Sequence, residues 1–265
     1  MKNFLINLFV NKKKRSLKNN GFKILRETTN VHEIFRAIND FNSESEIRYV
    51  GGCVRKILNN EKFDDIDLAT NLVPNEVKEA LQKNNINFFE TGIDHGTITA
   101  RINEKNYEIT SLRKDIKTDG RYAIVEFSKD WKEDSSRRDF SINSIYSDVD
   151  GNLFDPNNGV RDIQNGIIKF IGDPEKRIKE DYLRIVRYLR FFITYSKHNH
   201  ELNVQKVIKQ NISGIANLSK ERLLSELEKI INSPGFFNIN KNNFSKELFL
   251  LIFPQLKNID LFKKL

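Results

Sequence analysis

The chain has 265 residues, which is enough for one large domain or two smaller ones. Its 38% hydrophobic and 30% charged residues are typical of a globular protein, and its apolar runs all fall short of the roughly 18–20 residues that span a bilayer. A single cysteine, Cys53, excludes an internal disulfide, so we expect a cytoplasmic protein without a membrane span.

The net charge of +8 is concentrated at the beginning of the chain. The first 30 residues hold eight Lys or Arg and one acid, so the remaining residues carry about +1. We therefore expect residues 1–29 to form a basic arm. Such an arm either adds affinity for a polyphosphate partner or is a solvated terminus.

The first half of the chain alternates between helix and strand patterns. The predicted elements are a helix at VHEIFRAINDF (31–41), a strand with a glycine turn at IRYVGG (47–52), a helix beginning at VRKILNN, a strand at DIDLAT (65–70) and a helix opened by Pro74 at PNEVKEALQKN (74–84). Three strands follow at INFFET (86–91), GTITARI (96–102) and NYEITSL (106–112).

The second half becomes helical after one more hairpin. Residues 113–136 are polar with little periodicity, which predicts a long loop, and SIYSDVDGNLFDP (144–156) predicts a hairpin turning at Asp150-Gly151. From residue 174 the period is helical, most clearly at 218–233, where Ser219 is the expected N-cap. The fold class predicted is α+β: a small mixed sheet with helices, then an all-helical part.

Acidic residues cluster in the predicted strand 65–70. Strand alternation places Asp65 and Asp67 on one face and Asp64 on the other. Two carboxylates on one face suit Mg²⁺, which accepts substrate phosphates as its remaining ligands, although a polar surface turn gives the same pattern. Glu108 is an exposed strand residue or, if its strand lies beside 65–70, a third acid of the same site.

Two further stretches offer contacts for phosphates and bases. Glycines between a strand and a helix, Gly51 and Gly52, allow backbone amides to approach a phosphate, and Arg55 lies one turn into the helix. Asp181 and Arg184 recur at helical spacing and offer an acceptor and a donor fork suited to a base edge; the alternative is a surface salt bridge.

Eight stretches in order resemble one family, the class II CCA-adding enzymes and bacterial poly(A) polymerases of the nucleotidyltransferase superfamily. They are GGCVR, DIDLAT, TGIDHGTI, YEITSLRKD, RRDFSINSIY, DPNNGVRDI, EDYLRIVRYLRF and SKERLLSEL, within residues 47–233. The resemblance implies a nucleotidyltransferase-fold head at 30–145, a nucleotide-selecting helical neck at 146–235 and a short helical body at 236–265.

The resemblance also implies roles for individual residues. In the head these are the catalytic carboxylates Asp65, Asp67 and Glu108, the first two binding the metal, and the nucleotide contacts Gly51, Gly52, Arg55 and Arg138. In the neck they are the base-reading pair Asp181 and Arg184, with further nucleotide contacts from Arg187 and Arg190. Residues 113–136 fall where the family has a flexible loop.

The function that the resemblance implies is Mg²⁺-dependent addition of CMP and AMP, from CTP and ATP, to the 3′ end of tRNA or another RNA. A poly(A) polymerase, a CC-only or A-only adding enzyme, and an inactive RNA- or nucleotide-binding remnant are the alternatives. Two departures from the family bear on this choice. Lys56 stands where the family usually has an aspartate, and the chain stops at Leu265, short of typical members.

Overall fold

The computed structural model describes residues 21–257 apart from Asp64 and residues 119–122, and it leaves out the side chains of residues 115–124. Most of the predicted basic arm lies outside the described residues. Its last part, residues 21–28, is a helix, α1, whose Phe22 and Leu25 are buried.

A seven-stranded mixed sheet is the centre of the first part of the chain. Its strands are β1 (Ile47–Val50), β2 (Asp67–Thr70), β3 (Asn87–Gly92), β4 (Thr97–Ile102), β5 (Lys105–Ser111), β8 (Tyr146–Ser147) and β9 (Leu153–Phe154). The spatial order is β3-β4-β5-β2-β1-β8-β9, and β2 and β5 pair in parallel while the other neighbours are antiparallel. The predicted hairpin β8–β9 is confirmed, and the predicted strands β4 and β5 also pair as an antiparallel hairpin.

The two faces of this sheet are covered by different helices. The helices of this half are α1, α2 (Val31–Asn39), α3 (Gly52–Leu58), α4 (Pro74–Lys83) and α5 (Trp131–Arg137). Tyr49 of β1 packs against Phe22 of α1 and Phe35 of α2. Its neighbour Val50 points to the other face and joins a cluster with Trp131 of α5.

The prediction of a long loop at residues 113–136 is wrong. This segment contains a hairpin, β6 (Arg113–Thr118) with β7 (Ala123–Phe127), and the helix α5. Asp130 caps α5, since its side chain accepts a hydrogen bond from the Lys132 amide at 2.7 Å. The helix is anchored by the buried Trp131 and the buried carboxylate of Asp134 rather than by an apolar stripe. A test for hydrophobic periodicity therefore misses it.

The second half is helical, as predicted. Its helices are α6 (Gly159–Asn165), α7 (Pro174–Glu180), α8 (Leu183–Tyr195), α9 (Leu202–Asn211), α10 (Lys220–Ile231) and α11 (Asn243–Ile252). Ser219 caps α10, as expected from the sequence. The aromatic rings of Phe140, Phe170 and Tyr188 pack on one another in its core. Together with the mixed sheet this confirms the α+β class.

By its internal contacts the chain divides into two compact units. Among the described residues, the head unit comprises residues 21–115, 125–138 and 142–160, and the helical unit comprises residues 116–118, 123–124, 139–141 and 161–257. No helix among the described residues combines the length and the apolar character needed to cross a membrane.

Candidate active site

Two carboxylates face each other across the parallel pair β2–β5 of the head unit. Asp67, the first residue of β2, is in register with Glu108 of β5, so both side chains project from the same face of the sheet. This is the face covered by α5, because Asp67 alternates with Leu68, the partner of Tyr49 on the opposite face. The structure thus brings together two of the three acids singled out in the sequence.

The environment of Asp67 disfavours its negative charge. Burial raises the pKa of this carboxyl, and the neighbouring charge of Glu108 raises it further, whereas Arg138 acts in the opposite direction. Asp65 also contributes to the rise, so its charge lies within electrostatic reach of Asp67. A bound cation would stabilise the ionised pair.

The predicted strand 65–70 begins only at Asp67, so strand alternation does not determine where the Asp65 side chain points. The strand begins at Asp67, so Asp65 is exposed in the segment before it, and Asp64 lies outside the described residues. The position of Asp65 depends on the conformation of that segment and not on sheet pairing.

The glycine turn lies directly beside these carboxylates. Gly51 has φ +72° and ψ −125°, a conformation open almost only to glycine. A Cβ atom on Gly51 would lie 3.6 Å from Oδ2 of Asp67 and 3.9 Å from Nη1 of Arg138. The turn therefore lies close to both a predicted metal-binding carboxylate and a predicted nucleotide-binding arginine.

Arg55 is held from within the head unit. Its side chain is 6% exposed and donates a hydrogen bond to Oδ1 of Asn143. Gly52 lies next to it, since a Cβ there would be 4.0 Å from Nη2 of Arg55. The charge of Arg55 also lowers the pKa of Asp67, which places it in the same electrostatic environment. Lys56 is partly exposed on the same helix.

Arg138 is fixed by two residues that the sequence analysis did not single out. Its Nε and Nη2 atoms lie 3.2 Å and 3.0 Å from Oδ2 of Asp134, and its Nε also donates to the Tyr146 hydroxyl at 3.0 Å. Burial on its own would raise the pKa of Asp134, but Arg138 and Arg137 together hold it below its usual value. An acid four residues before an arginine on a helix was the available signal.

The second set of predicted residues lies in the helical unit. Asp181 follows α7, and its Oδ2 accepts a hydrogen bond from Nη2 of Arg222 at 2.8 Å. Arg184 on α8 donates through Nη1 to Oε2 of Glu180 at 2.6 Å and to the carbonyl of Arg177 at 2.6 Å. The two members of the predicted base-reading pair are thus held by different partners.

Arg187 and Arg190 converge on one buried acid of α10. Glu226 is 2% exposed; its Oε2 accepts from Nε of Arg190 at 2.7 Å, and its Oε1 lies 3.4 Å from Nη1 of Arg187. Arg187 also binds Oδ2 of Asp139 at 2.6 Å. Burial opposes ionisation of Glu226, yet Arg190 and Arg187 lower its pKa. Sequence reasoning missed Glu226 and Asp139, since their partners lie 36 to 48 residues away.

The head site has the chemistry to bind a polyphosphate and a divalent cation. It combines a registered pair of carboxylates with two buried or half-buried arginines and a close glycine turn. Among the described residues no group of three His, Cys, Asp or Glu side chains is arranged to hold a metal ion. The carboxylate pair agrees with Mg²⁺ sites built from one or two carboxylates and substrate phosphates.

Two family models match the chain. The poly A polymerase head domain matches residues 47–169, and the family described as the probable RNA and SrmB-binding site of polymerase A matches residues 201–259. Among curated relatives, the human mitochondrial CCA tRNA nucleotidyltransferase 1 is 47% identical over 189 residues, or 70% of this chain and 44% of the relative. A CCA-adding enzyme of Lactobacillus helveticus is 39% identical over 187 residues, or 70% of this chain and 46% of the relative.

Solved structures agree with these relatives. The Bacillus stearothermophilus CCA-adding enzyme in complex with CTP aligns with a TM-score of 0.69 and 28% identity, over 84% of this chain and 57% of that one. A tRNA nucleotidyltransferase complexed with a primer tRNA and an incoming ATP analog aligns with a TM-score of 0.67 and 25% identity, over 83% of this chain and 62% of that one. The chain spans about half the length of the curated relatives it matches.

Proposed function

Since this chain belongs to the family of poly(A) polymerases and CCA-adding enzymes, we propose that it adds CMP and AMP, from CTP and ATP, to the 3′ end of tRNA. The observation that carries this proposal is the registered pair of Asp67 and Glu108 beside Gly51 and Arg138. That arrangement suits an attack on a triphosphate. The terminal hydroxyl forms a bond to the α-phosphorus as the bond to the leaving pyrophosphate breaks.

In the head, Asp65 and Asp67 are the residues that would hold Mg²⁺, with Glu108 as the third acid of the site. When bound, Mg²⁺ lowers the pKa of an attacking hydroxyl and neutralises phosphate charge. The raised pKa of Asp67 supports this assignment, because a site that disfavours its own negative charge gains from a cation.

Positive and polar groups around the carboxylates bind the triphosphate in this proposal. They are the backbone of Gly51 and Gly52 and the guanidinium groups of Arg55 and Arg138. These groups orient the α-phosphorus and stabilise the charge that develops on its oxygens. We take the head to be residues 30–145.

Residues of the neck, 146–235, select the base in this proposal. Asp181 accepts a hydrogen bond from the amino group of cytosine or adenine, and Arg184 donates to a ring acceptor. Arg187 and Arg190 complete the nucleotide contacts, either directly or by supporting this segment through Glu226. The names of the relatives favour CCA addition over poly(A) synthesis.

We also propose a cytoplasmic location, because the one cysteine, Cys53, is buried and forms no disulfide, which fits a reducing compartment. The human relative carries a mitochondrial name, so localisation of a tagged chain decides between two reducing compartments.

The proposed activity is tested with three RNA substrates and purified protein. These are tRNAs that end before the CCA sequence, after the first C, and after CC, each given CTP alone, ATP alone, and both. We expect the first substrate to gain two C and one A, the second to gain one C and one A, and the third to gain one A. Long A tails on any RNA would indicate a poly(A) polymerase. Addition of C alone, to the first two substrates, would indicate a CC-only enzyme, and extension of only the tRNA ending in CC would indicate an A-only enzyme.

The variant that tests the proposed metal-binding residue is Asp67→Ala. We expect incorporation to fall by at least about a thousandfold, since the residue holds the proposed metal, while the protein still unfolds cooperatively. Undiminished extension by a folded Asp67→Ala protein would overturn the assignment. No extension by the wild-type chain would support an inactive remnant instead.

A further inference from the structure

The structure points to a positioning residue that supports Arg138. We propose, on the basis of the function proposed above, that Asp134 and Tyr146 hold one edge of the Arg138 guanidinium and so direct its other nitrogen to the triphosphate. These three side chains are called the Asp134 clamp below. The sequence motifs assigned no role to Asp134 or to Tyr146.

The hydrogen bonds of the clamp involve one edge of the guanidinium. Both Nε and Nη2 of Arg138 donate to the same oxygen of Asp134, Oδ2, at 3.2 Å and 3.0 Å. The remaining terminal nitrogen, Nη1, is the one that lies on the Gly51 side, 3.9 Å from the place a Cβ would occupy. Rotation of the guanidinium away from the turn would break two charge-assisted hydrogen bonds at once.

Tyr146 closes the clamp from β8. Its hydroxyl donates to Oδ2 of Asp134 at 2.6 Å and accepts from Nε of Arg138 at 3.0 Å. The ring itself is fixed, because it is fully buried and makes an edge contact with Trp131 at 5.3 Å between ring centroids. The hydroxyl thus ties the acid and the arginine to the sheet.

The other oxygen of Asp134 connects the clamp to the β6–β7 hairpin. Oδ1 accepts from Nε of Arg137 at 2.8 Å and lies 3.4 Å from the amide of Arg113, the first residue of β6. Asp134 is 1% exposed, so little water competes for these contacts. One carboxylate therefore fixes both the base of the hairpin and the direction of Arg138.

A positioning role and a general electrostatic role predict effects of opposite sign. Removing the negative charge of Asp134 would strengthen the binding of an anionic triphosphate if only overall charge mattered. If Asp134 directs Arg138, the same substitution weakens binding, because the guanidinium is no longer held toward the phosphates. The sign of the change in affinity is the discriminating measurement.

The experiment measures the equilibrium affinity of the full chain for CTP and for ATP in the presence of Mg²⁺, together with RNA extension. The variants are Asp134→Asn, Arg138→Gln and the double variant. Glu133→Gln is the matched control, since it removes the same charge from an exposed neighbouring position on α5. We expect Asp134→Asn to weaken both nucleotides about tenfold, the double variant to be no weaker than Arg138→Gln, and the control to match the wild type.

Tyr146→Phe extends the cycle with a smaller change. It removes only the hydroxyl, so we expect about threefold weaker binding that disappears in the Arg138→Gln background. If Asp134→Asn shows no cooperative unfolding transition, this variant carries the test on its own.

Three results would overturn the inference: unchanged or tighter binding by a folded Asp134→Asn protein, additive losses in the double variant, or tenfold weaker binding in the Glu133→Gln control. Its failure is separable from failure of the proposed function. Wild-type protein that binds CTP and ATP but extends no RNA overturns the function alone, whereas absence of any triphosphate binding overturns both.

Discussion

Asp67 shows how a single residue can trade stability for a binding role. Its pKa is raised by burial and then by Glu108, so the folded state holds a proton more tightly than the unfolded chain does. Above the ordinary pKa of an aspartate the unfolded carboxyl is ionised freely, and the folded one is ionised at a cost. The native protein therefore carries a stability penalty at neutral pH that a cation would relieve.

We expect Asp67→Asn to raise the melting temperature by a few degrees in the absence of divalent cations, because the amide carries no charge to desolvate. Addition of Mg²⁺ should raise the melting temperature of the wild type and leave that of the variant unchanged. The control is Asp94→Asn, which removes an exposed carboxylate of the same unit. Equal stabilisation of all three proteins by Mg²⁺ would contradict a site at Asp67.

At the scale of elements, α8 and α10 are joined by buried charge. Glu226 of α10 receives Arg190 and Arg187 of α8 and also lies 3.2 Å from Nζ of Lys229. A buried acid shared by several cations stays ionised because its partners compensate for the lost hydration. Losing that acid removes the counter-charge that Glu226 gives to Arg190 and leaves Arg187 with Asp139 as its ion-pair partner.

We expect Glu226→Gln to lower the free energy of unfolding by about 3 kcal/mol, since breaking a buried ion pair on one side leaves uncompensated charge. Urea unfolding followed by far-UV circular dichroism measures the change. Glu228→Gln, an exposed position on the same helix, is the matched control and should stay within about 0.5 kcal/mol of the wild type. A similar small effect for both variants would show that the Glu226 network is energetically neutral.

The same kind of contact marks the limit of prediction from sequence. The strand–turn–helix of β1 and α3, the hairpin β8–β9 and the cap at Ser219 follow from alternation, turn residues and capping chemistry, all of which are local. The helix α5 was missed because a buried carboxylate, not an apolar stripe, anchors it. Which long-range partner an arginine selects is set by tertiary packing that no local pattern contains.

The candidate site was likewise predictable from the sequence only in part. Alternation predicted that Asp65 and Asp67 share one face, but β2 contains only Asp67. The condition attached to Glu108, a strand beside β2, is met by the parallel pair β2–β5. The contribution of Asp65 depends on a segment without regular structure. The Asp134 clamp does not follow from any local sequence pattern, since its members come from a helix, the residue after it and a strand.

At the scale of the whole molecule, the dependence of folding stability on acidic pH comes from several groups that titrate in separate pH ranges. Burial lowers the pKa of His200 to about 4, and its ring nitrogens contact the Tyr188 hydroxyl at 3.0 Å and the Ser245 hydroxyl at 2.8 Å. Glu226 and Asp134 have lowered pKa values as well, but the stabilisation that comes from a lowered carboxyl pKa is lost only below the ordinary pKa of a carboxyl, which is lower than that of a histidine. Of these three groups, His200 therefore loses its contribution to stability first on acidification.

The sign follows from proton binding. Between about pH 6.5, where an unfolded histidine titrates, and about pH 4, the unfolded chain binds a proton at His200 that the folded chain does not. The contribution of His200 to stability is fully present above this range and declines as the pH falls through it. We expect His200→Gln to have a lower melting temperature at pH 7.5, because the stacked imidazole is lost, and a flatter decline between pH 6.5 and 4.5. His198→Gln, an exposed histidine, should retain the slope of the wild type, and an unchanged slope in His200→Gln would assign the acid sensitivity to other groups.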